Sequence, residues 1–68
     1  MKVIINDTPI DLNGLAATLE LAVQRSGVSD VKGLAVAVNS MVIPRTNWST
    51  FQLNENDIIL IIRATQGG

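Results

Sequence analysis

The stretch Ile58–Gly68 reads "IILIIRATQGG". Five apolar residues run without a break, a polar stretch follows, and two glycines come last. A run of five is too short for a buried helix and suits a strand inside a sheet. An unbroken apolar run predicts a central strand covered on much of both faces. The tail is a separate matter. Residues at a chain end are usually free to vary, so a glycine pair there calls for a reason.

Working back from this strand, "NEND" (Asn54–Asp57) reads as a turn, with Asp57 bonding to nearby backbone. "RTNWSTFQL" (Arg45–Leu53) has no clear period and reads as a crossover with a short helical turn. Within "GLAVAVNS" (Gly33–Ser40), Leu34, Val36 and Val38 alternate against Ala35 and Ala37, the period of a strand. A tight turn at Asn39-Ser40 leads into "MVIP", where Pro44 confines the next strand to an edge or an end.

"NGLAATLELAVQRSG" (Asn13–Gly27) is the one helical stretch. Leu15, Leu19, Ala22 and Val23 share a helical face and read as core. Asn13 and Thr18 are both candidate N-caps, and Gly27 suits the left-handed residue that ends a helix. At the start, "MKVIIN" is a strand with Met1, Val3 and Ile5 on one face. "NDTP" reads as a turn, and Ile10 and Leu12 as a short second strand.

The 68 residues fit one domain, of which 47% are hydrophobic and 16% charged. Phe51 and Trp48 are the two aromatic residues, so the core is aliphatic. Trp48 reads as a packing residue, and Arg45 as held by a carbonyl or a carboxylate. The net charge is −1 and the five cations are scattered, which argues against nucleic-acid binding. No Cys and no His are present. That removes disulfides, thiol nucleophiles, Cys/His zinc sites and imidazole chemistry. The acids Asp7, Asp11, Glu20, Asp30, Glu55 and Asp57 form no catalytic pair and read as turn and surface residues. No segment matches a signal peptide or a membrane span, so a cytoplasmic protein is the expectation.

One helix across a mixed sheet of four or five strands satisfies this order. The first and last strands are the most apolar and are expected side by side and parallel in the middle. The fold class is therefore α+β, the β-grasp arrangement of ubiquitin. Residues 1–63 are expected to form the domain, and 64–68 a flexible tail.

Val38-Asn39, Ile43-Pro44-Arg45, Trp48, Asp57 and the terminal Gly67-Gly68 together resemble the sulfur carrier protein of thiamin biosynthesis, the ThiS family. Two positions depart from that pattern. Asn56 stands where the family has Gly, and Ile43 where it has Val. Asn is well suited to a positive φ, so the turn is expected to survive.

The resemblance implies a carrier and co-substrate with no catalysis or bound cofactor of its own. A partner related to ubiquitin-activating enzymes would use ATP to adenylate Gly68, with Gly67 giving access. Sulfur from a persulfide protein would then yield a thiocarboxylate for delivery to thiazole synthase. Two alternatives are a molybdopterin-synthase small-subunit type of carrier and a ubiquitin-like modifier joined to lysines. The expected partner-binding face carries Ile4, Ala35, Ala37, Ile58, Leu60, Ile62 and Ala64. Alternation turns these away from a helix-facing set of Val3, Ile5, Val36, Val38, Ile59 and Ile61.

Overall fold

The computed structural model describes residues 1–14, 16–28 and 30–63. In chain order the elements are β1 (Lys2–Ile5), β2 (Thr8–Asp11), α1 (Leu19–Arg25), β3 (Leu34–Val38), β4 (Met41–Val42), a 3-10 turn (Arg45–Asn47) and β5 (Ile58–Arg63). The five strands form one sheet in the order β2-β1-β5-β3-β4. β5 lies in its centre, parallel to β1 and antiparallel to β3.

Strand period decides what lies under the helix. Val3, Ile5, Val36, Val38, Ile59 and Ile61 are all buried, the set expected from alternation. They pack with Leu19, Ala22 and Val23 of α1 and with Leu12, Ala17, Ile43, Trp48 and Leu53 from the connections. Each fully buried aliphatic side chain contributes about 1.5–3 kcal/mol, so a core this small depends on every member. Trp48 is buried and its Nε1 donates to the Ile43 carbonyl at 2.9 Å.

Several expectations are corrected. The helix is Leu19–Arg25, not the whole of Asn13–Gly27. Asn13 and Gly14 have φ of 25° and 114°, which no helix accommodates. Ala16 and Ala17 lie outside any helix or strand, and Thr18 bridges to Gln52 and caps α1 by accepting from Leu21 N at 3.3 Å. Leu12 and Ala17 are buried from outside helix and strand, and Leu15 lies outside the described residues. Gly27 does follow the helix end with φ 89°.

The first hairpin turns on Asn6-Asp7 alone, both at positive φ. Thr8 and Pro9 belong to β2 rather than to the turn, and β2 ends before Leu12. Pro9 is tolerated because β2 is an edge strand. Asn39-Ser40 forms a second turn of this kind between β3 and β4.

Arg45 is exposed and donates no hydrogen bond among the described residues, so the anchor expected for it is absent there. Arg63 has that role instead, donating to the carbonyls of Asp30 at 3.0 Å and Lys32 at 3.1 Å.

Candidate functional site

β5 is central in the sheet but buried on one face only, which corrects the expectation of two covered faces. Ile59 and Ile61 point under the helix, whereas Ile58, Leu60 and Ile62 are 58%, 47% and 51% exposed. The reason is material. A seven-residue helix covers one side of five strands, and nothing among the described residues is left for the other.

Register assembles the uncovered face. Ile4 pairs with Ile58, Ala37 with Leu60 and Ala35 with Ile62. Directly paired residues share a face, so six of the seven predicted residues stand together. Ile4 and Ala37 are half-buried, and Ala35 is exposed. The seventh, Ala64, lies outside the described residues, as do Gly67 and Gly68.

Val42 also belongs to this face, because it pairs with Ala37 from β4 and is exposed. The alternation of "MVIP" was too short to reveal it. The two alanines between Val42 and the Leu60/Ile62 pair leave an apolar hollow of about 170 Å³. At the other end Asp7 and Ser40 stand beside Ile58 and Leu60 and give the patch a polar rim. An apolar centre with a polar rim is the anatomy of a protein-binding surface.

Two asparagines hold β5 in place. Asn6, just past β1 at φ 49°, donates its backbone N to Ile59 O at 3.0 Å, and its side chain continues the ladder: Oδ1 accepts from Ile61 N at 2.8 Å and Nδ2 donates to Ile61 O at 3.2 Å. On the other flank Asn39 N donates to Ile58 O at 2.8 Å, and Asn39 Oδ1 accepts from Ile58 N at 3.0 Å. Asn39 Nδ2 also donates to Asp57 Oδ1 at 2.9 Å, while Asp57 Oδ2 accepts from Asn54 N at 2.8 Å. Asp57 is thus a turn residue, as expected, but a buried one. Neither amide strap was foreseen. The available signal was an Asn after an apolar strand at a turn of positive φ.

No cluster of Asp and Glu able to hold a metal occurs among the described residues. No helix there is long and apolar enough to cross a membrane. What the arrangement offers is a central strand tied on both flanks by asparagine side chains and an uncovered apolar face along it.

A single helix packed across a mixed five-stranded sheet, with its first and last strands parallel at the centre, defines a β-grasp domain of the ubiquitin-like class. The chain belongs to the ThiS family, whose sequence profile matches residues 2–68. The fold is similar to the crystal structure of a thiamine biosynthesis protein (ThiS) from Geobacter metallireducens, with a TM-score of 0.82 and 17% identity over 100% of both chains. It is also similar to the solution structure of a thiamine biosynthesis protein from Geobacter metallireducens. That comparison has a TM-score of 0.75 and 17% identity, covering 100% of this chain and 88% of the other. No match was found among curated proteins. Membership of the ThiS family supports a sulfur-carrier role in thiamine biosynthesis.

Proposed function

We propose that this chain carries sulfur as a thiocarboxylate on Gly68 and delivers it for thiazole formation. The observation that carries the reading is the family match, which runs through Gly67 and Gly68. An α-carboxylate is ionised at neutral pH and is a poor electrophile. Attack of the Gly68 carboxylate on the α-phosphate of ATP releases pyrophosphate and gives an acyl adenylate. The terminal sulfur of a protein persulfide then displaces AMP. A second thiol cleaves the resulting acyl disulfide and leaves the sulfur on Gly68. The chain is the co-substrate, and its partners perform each step.

Reach fits this chemistry. From Ile62 the six residues to Gly68 span roughly 20 Å if extended. Without side chains Gly67 and Gly68 can enter a narrow channel in the adenylating partner. The uncovered face of Ile4, Ala35, Ala37, Ile58, Leu60 and Ile62 runs along the same strand and suits docking by the adenylating partner and the thiazole synthase in turn.

Intact mass of the protein purified from its own host tests the proposal. Replacement of one oxygen by sulfur is the expected result. A heavier conjugate to another protein would point to a modifier instead, and deletion of Gly68 with normal sulfur loading would overturn the role of the terminal carboxylate.

A further inference from the structure

A cleft of about 350 Å³ opens on the helix side of the sheet, away from the uncovered face. Its apolar lining includes Ile5, Ile10, Leu34 and Ile61. Two cations, Arg25 from the last turn of α1 and Arg63 from the end of β5, line it, with no acid beside them among the described residues. This is notable in a chain with net charge −1, where five cations face six acids.

Arg63 is held by two backbone carbonyls, and neither arginine forms an ion pair among the described residues. Asp30 Oδ1 accepts from Lys32 N at 3.0 Å, and Asp7 lines the hollow beside Ile58 and Leu60. The hydroxyl-bearing residues Thr8 and Ser26 also line it. Apolar side chains with two cations that form no ion pair among the described residues, and a few polar groups, are the composition of a small-ligand site, and this volume lies in the usual range.

We propose that this cleft binds a small organic anion, a carboxylate on a short apolar stem. The stem lies on Ile5, Ile10 and Ile61, and the carboxylate sits between Arg25 and Arg63. Arg63 is the fixed member, since its two carbonyl bonds hold the guanidinium in place. Arg25, exposed at the end of α1, closes on the anion. The site is independent of the carrier reading, because it uses neither the tail nor the uncovered face.

The test is a heteronuclear NMR titration of the full ¹⁵N-labelled chain with hexanoate, acetate and hexylamine. Hexanoate is expected to shift the amides of Thr8, Ser26, Leu34 and Arg63 saturably, acetate more weakly, and hexylamine not at all. Arg25→Gln should weaken hexanoate binding about fivefold, the size of one partly exposed ion pair. Arg25→Lys should restore most of it. Arg63→Gln is less informative because it also frees the loop at Asp30 and Lys32. Equal responses to hexanoate and hexylamine would overturn the site. So would shifts confined to Ile58, Leu60 and Ile62, or an Arg25→Gln chain that binds hexanoate as well as the parent does.

Discussion

The side-chain amide of Asn39, in the β3–β4 turn, and the carboxylate of Asp57, in the turn leading into β5, meet with Nδ2 to Oδ1 at 2.9 Å. The same amide accepts from Ile58 N, so one side chain orients the buried acid and closes the ladder where β5 begins. Asn39 also sits at φ 50°, which most side chains resist.

Those two demands can be separated by mutation. Asn39→Gly keeps the backbone freedom and removes the amide, and is expected to cost about 1–3 kcal/mol, the penalty of leaving a buried polar group without its partner. Asn39→Ala should cost about 1 kcal/mol more, because the left-handed conformation is then strained as well. Urea unfolding of both variants gives the difference. An Asn39→Gly protein as stable as the parent would show that the amide contributes nothing.

Asn56 is the contrasting case. It has φ 68° and its backbone N donates to Lys2 O at 2.7 Å, but its side chain makes no hydrogen bond among the described residues. Asn56→Gly is therefore expected to leave stability within about 1 kcal/mol of the parent, since relief of strain is offset by a freer unfolded chain. A larger loss in thermal or urea unfolding would assign the side chain a structural role.

Strand faces were legible in the sequence because a period of two needs only a few residues to declare itself. Val36 and Val38 against Ala35 and Ala37 already gave the face, and Ile59 and Ile61 followed. The helix was less legible. Leu12 and Ala17 are buried from outside helix and strand, so apolar residues ahead of Thr18 imitated a longer helix. Apolar spacing records burial, not backbone conformation. The run Ile58–Ile62 misled for a related reason: two-sided apolarity predicted two covers, while one helix supplies one. The cleft between Arg25 and Arg63 could not be read at all, because topology alone brings those two residues together.

Trp48 tests the role of the crossover. Trp48→Phe keeps an aromatic ring but leaves the Ile43 carbonyl without its indole donor. A loss of about 1–2 kcal/mol is expected from the missing bond and the smaller ring together. Thermal unfolding measures it. An unchanged midpoint would mean that another donor or water takes over.

The uncovered face gives a paired prediction, because Leu60 and Ile61 are neighbours in one strand with opposite surroundings. Ile61 is 9% exposed and packs in the core, so Ile61→Asp buries a carboxylate with no partner and is expected to unfold the chain. Leu60 already meets solvent, and Leu60→Asp should cost only about 1 kcal/mol, the span of strand preference. The folded Leu60→Asp protein then isolates binding from stability. If both partners dock over Leu60, adenylation and sulfur delivery fall together, with the tail intact and Gly68 unchanged. Ile62→Asp should behave in the same way, since Ile62 lies beside the same hollow. Loss of one reaction alone would mean that the two partners use different surfaces. Normal rates for both in a folded Leu60→Asp chain would remove this face from the docking model altogether.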